Sequence, residues 1–325
     1  MFKVNLKNGK SFFGDSNKSI LESAIDSGIV LEHSCKTARC RSCLMRVEKG
    51  EIENIHQDNI LSDIEKEQGY VLSCNVKPLS DLLLDVEDLG NIELYKPKTF
   101  PAKIQEIKNI TDSLIEVKLR LPPNVNFNFL PGQYVNIIKG SIRRSYSIAN
   151  NPIFGEYLEF IIKNYSNGIM SNYWFNEAKK NDVLRIQGPQ GTFFLRNSLN
   201  KVIIFLATGT GIAPIKSILE KIASENMDNK QILLFWGGRY SESLFLDSLP
   251  LIGDNFYKVV SRPNENWKGH IGYIQDILLS VKKDLSDCVV YACGSNEMIA
   301  SSKELLINNG LKEADFFSDA FVSSN

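Results

Sequence analysis

The stretch 35-CKTARCRSC-43 decides the fold of this 325-residue chain, together with a fourth cysteine, Cys74, which follows after 30 further residues. Within the stretch, Cys35, Cys40 and Cys43 have the spacing C-x4-C-x2-C. Four thiolates hold the two irons of a [2Fe–2S] cluster, and one loop that supplies three of them is the plant-type arrangement. The four cysteines are therefore the predicted metal ligands, and the pattern predicts a chain that transfers electrons.

A structural zinc site is the alternative interpretation of these cysteines. Such sites usually contain two C-x2-C pairs, or one such pair with two histidines. Here only Cys40 and Cys43 form a pair, and the neighbouring His33 and His56 lack the H-x3–5-H spacing. The pattern therefore favours iron–sulfur over zinc.

Composition limits the classes of protein to which the chain can belong. Hydrophobic residues make up 43% of it, and 37 basic side chains nearly balance 38 acidic ones, so the net charge is −1. This balance predicts neither a nucleic-acid nor a membrane-surface partner. The longest apolar run, residues 202–207, is too short for a membrane span, and the first residues have no apolar signal core. We therefore expect a cytoplasmic protein. In such a reducing compartment, clustered cysteines indicate metal or redox chemistry rather than disulfides.

The pattern of hydrophobic residues and turns divides the chain into segments. Residues 1–92 contain short alternating strands and helices, and residues 93–101 form a linker with two prolines. Residues 102–197 are rich in strands separated by Pro and Gly turns, which is typical of an antiparallel β-barrel. Residues 198–325 alternate strand, turn and helix, which predicts a parallel sheet. The predicted fold class is thus multidomain, α+β followed by α/β.

Two helices are expected in the first segment. One begins at Ser16 or Asn17 and ends near Gly28. The other begins at a capping box made by Ser62 and Glu65. The apolar face of the first helix is expected to contain Ile20, Leu21, Ala24 and Ile25.

The tetrad Arg144-Ser145-Tyr146-Ser147 in the barrel segment is compatible with a flavin site, although the motif is weak by itself and an ordinary half-buried strand tyrosine is the alternative for Tyr146. The planar fork of Arg144 suits the oxygens of a flavin pyrophosphate. Tyr146, two residues further on, leaves the strand on the same face and can stack on the flavin ring. The hydroxyl of Ser147 can reach the edge of that ring.

A second phosphate-binding element is expected at residues 167–171, Asn-Gly-Ile-Met-Ser. This segment has the pattern of a helix start, where backbone N–H groups point at anions. Gly168, Met170 and Ser171 are therefore predicted to contact the flavin cofactor.

The last segment contains a predicted dinucleotide site. A buried strand leads into the turn Thr208-Gly209-Thr210-Gly211, and Pro214 follows in the first turn of a helix. Glycines in such a turn let the backbone approach a pyrophosphate at a helix N-terminus.

The end of the next strand is expected to bind the adenosine ribose. Arg239 there favours NADPH, whereas the nearby Glu242 favours NADH, so these two residues do not decide between the cofactors.

At this point the chain resembles known families. Residues 1–90 resemble a β-grasp ferredoxin domain, except that Ala38 and Arg41 stand where that family usually has glycines. Arg41 and the neighbouring Arg39 place two cations near the cluster. These cations either raise its potential and favour an acidic docking partner, or are solvated surface groups.

The order of motifs from residue 131 onward, Pro-Gly-Gln-Tyr, Arg-Ser-Tyr-Ser and Gly-Pro-Gln-Gly, resembles the ferredoxin–NADP reductase superfamily. The resemblance implies FAD in the barrel, with FMN as the smaller alternative, and NAD(P)H as the electron donor. Cys293-Gly294-Ser295 is similar to the superfamily's C-G-x motif, which implies that Cys293 lies near the nicotinamide and the flavin; a buried core cysteine is the alternative. Cys288 lacks such a context and is interpreted as core.

The C-terminal sequence FFSDAFVSSN also fits this resemblance. It implies that Phe321 covers the nicotinamide face of the flavin, with a simple packing role as the alternative. The resemblance favours NADH over NADPH.

Four sequences together, IRRSYSIAN, GPQGTFF, YACGS and FFSDAFV, closely resemble CDP-6-deoxy-Δ3,4-glucoseen reductases. This resemblance implies a reductase that passes single electrons to an iron–sulfur, pyridoxamine-phosphate sugar dehydratase. The product pathway would be C3 deoxygenation of a CDP-hexose, for the 3,6-dideoxyhexoses of bacterial O-antigen polysaccharide. The alternatives are the electron-transfer component of an aromatic-ring or other oxygenase and a non-catalytic electron carrier.

Overall fold

The computed structural model describes residues 1–57, 59–90, 92–152, 157–225 and 230–322. Contacts divide the chain into two compact units, Met1–Tyr95 and Lys96–Asn325. The first strand of the second unit begins at Lys98, inside the predicted linker of residues 93–101. No helix in the described ranges is long and apolar enough to cross a membrane.

The first unit is a small mixed sheet with two short helices. Its five-stranded sheet has the order β2-β1-β7-β3-β5, in which β1 and β7 are parallel, while β4 and β6 form a separate pair. The strands are β1 (Phe2–Leu6), β2 (Ser11–Gly14), β3 (Leu44–Lys49), β4 (Ile52–Asn54), β5 (Tyr70–Leu72), β6 (Val76–Pro78) and β7 (Leu82–Asp85), and the helices are α1 (Ile20–Asp26) and α2 (Asp63–Glu67).

The start of α1 differs from the expectation. The N-cap is Ser19, and neither Ser16 nor Asn17 caps the helix, because Ser19 forms a reciprocal capping box with Glu22. Ile20, Leu21 and Ala24 are buried as predicted, whereas Ile25 is 42% exposed and lies outside the apolar face. The predicted capping box of α2 is confirmed, since Ser62 and Glu65 cap each other's backbone N–H groups.

The second unit begins with a six-stranded antiparallel sheet of order β11-β10-β13-β8-β9-β12. The sheet curls like a barrel and brings its two edge strands together. Tyr146 on one edge strand and Phe160 on the other meet edge to face, with ring centroids 6.4 Å apart. The strands are β8 (Lys98–Thr111), β9 (Leu114–Arg120), β10 (Tyr134–Lys139), β11 (Ile142–Ser147), β12 (Tyr157–Lys163) and β13 (Val183–Gln190), and α3 (Ile169–Asn172) continues into a π-helical turn at Tyr173–Glu177.

A parallel six-stranded sheet completes the second unit, with the order β17-β16-β15-β14-β18-β19. The strand order reverses between β14 and β18, and ligands of such sheets bind at the carboxyl ends of the strands beside this switch point. The elements are β14 (Val202–Thr208), α4 (Ile212–Ser224), β15 (Gln231–Gly238), β16 (Phe256–Val260), β17 (His270–Ile271), α5 (Ile274–Val281), β18 (Cys288–Gly294), α6 (Asn296–Asn308) and β19 (Phe316–Ala320).

The two sheets of the second unit share one hydrophobic core. Ala149, Ile161 and Phe193 come from the antiparallel part and pack with residues of α4 and the parallel sheet, such as Ile218 and Cys293. All five side chains are at most 7% exposed. Burial of apolar surface from both sheets holds the antiparallel sheet and the parallel sheet of the second unit together.

Candidate cofactor sites

The cysteine loop between α1 and β3 turns by means of left-handed residues. Lys36, Ala38 and Arg41 have φ values of +56°, +55° and +63°. This backbone directs N–H groups inward, so that the amides of Thr37 and Arg39 both donate to Cys35 Sγ at 3.4 Å. Such hydrogen bonds stabilise a thiolate, which is the form that ligates iron.

The four predicted ligands lie in two pairs. Cys43 Sγ is 3.3 Å from Cys74 Sγ, and the Cys35 amide donates to Cys40 Sγ at 3.3 Å. Hydrogen bonding within each pair lowers the pKa of one thiol, Cys35 to about 5 and Cys74 in the same direction, and raises the pKa of its partner. Two pairs of sulfurs fit a group with two irons, each held by two thiolates.

The loop keeps the left-handed conformation at both positions where glycine was expected, although Ala38 and Arg41 carry side chains. Arg41 is not a free surface cation: its guanidinium pairs with Glu65 of α2 and donates to the Ile60 carbonyl at 3.2 Å. This pairing holds the pKa of Glu65 down to about 2. The charge of Arg41 is therefore paired with a carboxylate, although its side chain is 37% exposed, and Arg39 is exposed.

The flavin tetrad lies on the edge strand β11, paired with β10. Arg144 and Tyr146 occupy alternate positions of that strand and share one face, as predicted, and both are partly exposed. The Arg144 guanidinium donates to the Arg143 carbonyl at 2.8 Å. Ser147 is buried at the end of the strand, opposite Tyr134.

A residue that the sequence analysis missed orients Tyr146. Trp174 Nε1 donates to Tyr146 Oη at 3.1 Å, and the two rings meet at an interplanar angle of 89°. Burial raises the pKa of Tyr146 to about 12, so its hydroxyl stays protonated. Trp174 lies in the π-helical turn after α3, and a lone tryptophan in that segment was its only signal.

The predicted helix start at residues 167–171 is confirmed as an element, with Gly168 at the N-cap of α3. Met170 is buried in the core of the curled sheet, and the Ser171 hydroxyl accepts the Tyr165 amide at 3.0 Å. Their side chains thus have structural partners, and the Gly168 N–H donates to the Tyr165 carbonyl at 3.0 Å. The backbone N–H groups of the first turn of α3 are what this segment can offer to a phosphate.

The predicted nucleotide turn follows β14 and lies at the switch point. Gly209–Gly211 form a single 3₁₀ turn that leads directly into α4, with Pro214 in its first turn. The turn lies against the end of β18: a Cβ on Gly211 would come within 2.2 Å of the Cys293 carbonyl oxygen. A Cβ on Gly294, at φ +150°, would come within 2.0 Å of Thr208 Oγ1. Glycine is therefore required at both positions.

Phe321 is hydrogen bonded to the residue after Cys293 at this edge of the sheet. Cys293 is fully buried, and burial raises the pKa of its thiol well above the usual range. The Phe321 amide donates to the Gly294 carbonyl at 2.7 Å, and its partly buried ring packs against the shared core that contains Cys293. Cys288 is buried in a different part of the core, as predicted.

The predicted ribose-binding residues are exposed beyond the end of β15. Arg239 accepts the Arg262 amide at its carbonyl, at 2.8 Å, and Glu242 lies in the following 3₁₀ turn, Ser241–Ser243. Both side chains are thus placed at the carboxyl edge of the sheet.

Sequence comparison matches three domain-family models along the chain. A 2Fe-2S iron–sulfur cluster binding domain matches residues 4–79, an oxidoreductase FAD-binding domain matches residues 101–195, and an oxidoreductase NAD-binding domain matches residues 205–304. A solved ferredoxin reductase of carbazole 1,9a-dioxygenase is 26% identical, with a TM-score of 0.69 over 99% of this chain and 98% of that one. The chain is thus an NAD(P)H-dependent iron–sulfur flavoprotein oxidoreductase.

Full-length relatives define the family. The CDP-6-deoxy-L-threo-D-glycero-4-hexulose-3-dehydrase reductase of Yersinia pestis is 38% identical over 97% of both chains. The toluate 1,2-dioxygenase electron transfer component of Pseudomonas putida is 26% identical over 99% of this chain and 98% of its own. The chain belongs to the family of CDP-6-deoxy-L-threo-D-glycero-4-hexulose-3-dehydrase reductases.

Proposed function

We propose that this protein is the NADH-dependent reductase of a cytoplasmic CDP-hexulose dehydratase that carries an iron–sulfur centre and pyridoxamine phosphate. It would supply the single electrons for C3 deoxygenation of the sugar. The observation that carries this proposal is the 38% identity, over 97% of both chains, to a reductase named for that dehydrase. The toluate dioxygenase component is 26% identical, which makes an oxygenase partner the second candidate.

Each cofactor is assigned in this proposal to a set of residues. Cys35, Cys40, Cys43 and Cys74 would ligate the [2Fe–2S] cluster. Arg144, Tyr146, Ser147, Gly168, Met170 and Ser171 would hold FAD, the last three through their backbone. Thr208, Gly209, Thr210, Gly211, Arg239, Cys293, Gly294 and Phe321 would bind the nicotinamide dinucleotide.

When bound, the nicotinamide dinucleotide would supply a hydride, and FAD with the [2Fe–2S] cluster would supply the means of dividing its two electrons into single ones. The residues of the chain would bind and orient the cofactors and would exclude water from the site. Gly211 and Gly294 let the nucleotide turn pack directly against the end of β18, which fixes the backbone that would face the pyrophosphate and the nicotinamide. Fully buried Cys293 and the ring of Phe321 exclude water beside the flavin. No protein nucleophile is required.

The proposal is tested by adding the purified protein and NADH to the dehydrase and its CDP-hexulose substrate. We expect the 3-deoxygenated sugar to form only when all components are present. A parallel reaction replaces the dehydrase with the oxygenase component of toluate 1,2-dioxygenase. Turnover of the oxygenase, without deoxysugar formation, would favour the second candidate.

A cluster variant separates the electron outlet from the flavin. Cys74→Ser is expected to abolish electron delivery to the dehydrase but to retain NADH–ferricyanide activity, because ferricyanide accepts electrons from the flavin directly. Cys288→Ser, outside the cluster loop, is the matched control and should retain both activities. A wild-type protein that does not reduce ferricyanide with NADH would indicate the non-catalytic carrier instead.

The same assay decides the nucleotide preference. We expect a higher kcat/KM for NADH than for NADPH. A preference for NADPH would assign Arg239 to a 2′-phosphate and leave the rest of the proposal unchanged.

A further inference from the structure

Three consecutive residues beyond the flavin strand are hydrogen bonded to helix α4. The Ala149 carbonyl accepts Lys216 Nζ at 3.1 Å, and the Asn150 carbonyl accepts Ser217 Oγ at 2.7 Å. The amide of Asn151 donates to Glu220 Oε2 at 2.9 Å. The end of the flavin strand is therefore bonded group by group to the helix that begins at the nucleotide turn.

Lys216 is the charged centre of this contact. Its ammonium donates to Glu159 Oε1 of β12 at 2.9 Å and to Glu220 Oε1 at 2.7 Å. With the Ala149 carbonyl, these acceptors use all three of its N–H donors. The side chains of Lys216, Glu159 and Glu220 are only 16%, 9% and 17% exposed.

A buried ion cluster of this kind is costly to desolvate, so stability alone is a weak reason for its presence. Burial raises the pKa of Glu159. For Lys216 burial acts in the opposite direction, but the two carboxylates outweigh it and its pKa lies above the usual value. The ion cluster fixes the orientation of α4 against β12, because its hydrogen bonds are directional. A hydrophobic side chain of similar size would fill the same space without fixing this orientation.

The two ends of the contact lie at the two proposed cofactor sites. Ala149 follows Ser147 of the flavin tetrad by two residues, and Lys216 follows the first residue of α4 by one helical turn. The turn before α4 contacts the Cys293 carbonyl. Any tilt of α4 against β12 therefore displaces the nucleotide turn relative to the flavin strand.

We propose that Lys216 is a positioning residue that sets the alignment of the nicotinamide with the flavin through Glu159 and Glu220. In the reaction a hydride leaves the nicotinamide with both electrons, NADH becomes NAD⁺, and FAD gains the hydride. The rate of this step depends steeply on distance and angle. The inference rests on the proposed cofactor sites, and it is independent of the identity of the electron acceptor.

The test is Lys216→Met, studied in the full-length holoprotein by stopped-flow reduction of the flavin. We expect the rate at saturating NADH to fall about 10-fold or more, because misplacement by a fraction of an ångström weakens transfer. The Kd for NAD⁺, measured calorimetrically, should stay close to the wild-type value. Hydrogen exchange of residues 209–216 should accelerate, which reports the loosened turn without reference to activity.

Lys221→Met is the matched control, since Lys221 forms a comparable i, i+4 pair with Glu225 on the exposed side of the same helix. It should leave the rate and the exchange unchanged. Glu159→Met is a second variant for the case that Lys216→Met folds poorly. It removes the contact of Lys216 with β12 but keeps the ion pair of Lys216 with Glu220. It should reproduce the slow reduction.

Three results would overturn the inference. In the first, Lys216→Met and Glu159→Met both keep the wild-type rate of flavin reduction while their thermal stability falls. The ion cluster around Lys216 would then have a structural role alone. Another is weaker NAD⁺ binding with an unchanged rate at saturation. The third is an equal loss of rate in Lys221→Met. Failure of the wild-type flavin to be reduced by NADH would instead count against the proposed function.

Discussion

Ala38 and Arg41 adopt a backbone conformation that is costly for residues with a Cβ. A left-handed residue other than glycine costs roughly 1–2 kcal/mol. Arg41 recovers part of this cost through Glu65 and the Ile60 carbonyl, whereas the side chain of Ala38 contributes a half-buried methyl group packed beside Leu61 and Cys43. The two substitutions thus have different energetic consequences at the same kind of position.

Ala38→Gly is expected to raise the free energy of unfolding of the first unit. Relief of the left-handed backbone, less the larger conformational entropy of unfolded glycine, leaves a gain of about 0.5–1 kcal/mol. Guanidinium denaturation followed by the visible absorbance of the cluster measures it. Arg41→Gly is the comparison and should show no gain, because it also removes the pair with Glu65. Equal gains for both variants would contradict this account.

Trp174→Phe tests how Tyr146, which is proposed to contact the flavin, is oriented. The variant keeps an aromatic ring but loses the hydrogen bond to Tyr146 Oη, so we expect FAD affinity to fall about fivefold, equivalent to about 1 kcal/mol. Titration of the apoprotein with FAD, followed by flavin fluorescence, measures the Kd. Trp267→Phe, whose indole donates to the His270 carbonyl elsewhere in the unit, is the control and should not change it. An unchanged Kd for Trp174→Phe would mean that Tyr146 is held by packing alone.

At the scale of elements, the ion pair of Arg41 and Glu65 connects the cysteine loop to α2. Glu65 has two roles there, since the same carboxylate caps the helix at Ser62. A short helix of five residues is not stable alone and depends on such tertiary contacts. The loop and the helix are therefore expected to lose order together.

The pH dependence of stability follows from the pKa of Glu65. Because this pKa is lowered to about 2 in the folded chain, the carboxylate contributes its stabilisation fully above pH 4.5 and loses it as the pH falls towards 2. Glu65→Gln should lower the Tm at pH 7, and the difference from wild type should shrink between pH 5 and pH 3. Differential scanning calorimetry checks this. Glu67→Gln, an exposed neighbour in α2, should show no such trend; a constant difference for Glu65→Gln would contradict the assignment.

The sequence predicted those elements whose signals are local. The capping box at Ser62, the glycine turn before α4 and the alternation of Arg144 and Tyr146 were all readable from neighbouring residues. The N-cap at Ser19 was missed although its signal was also local, because Ser19 and Glu22 have the same S-x-x-E spacing as Ser62 and Glu65. The roles of individual site residues remain proposals.

The long-range contacts could not be predicted from the sequence. Trp174 reaches Tyr146 across 28 residues and Lys216 reaches Glu159 across 57. One signal was present: Glu159 is a charge flanked by apolar residues inside the strand YLEFIIK, unlike Lys163 at its exposed end, and a buried charge requires a partner. The sequence did not say which of its many lysines that partner would be.

At the scale of the whole molecule, the shared core makes the second unit a single folding body. A fragment of residues 96–325 is expected to bind FAD and to reduce ferricyanide with NADH at the wild-type rate, because this core lies entirely within it. A fragment of residues 96–197 should not hold FAD, since it exposes Ala149, Ile161 and Phe193. Visible absorption and the ferricyanide assay compare the two. Tight FAD binding by the shorter fragment would contradict the need for the shared core.

The shared core also constrains how such a reductase can diversify. A gene fusion that replaces the coding region before Lys96 exchanges the electron outlet and leaves every buried contact of the second unit intact. A recombination crossover between the FAD-binding and NAD-binding regions would instead have to recreate Ala149, Ile161 and Phe193 against a foreign helix. We therefore expect lineages to gain new acceptors by exchange of whole domains, and to change their nucleotide preference by point mutation at exposed positions such as Arg239.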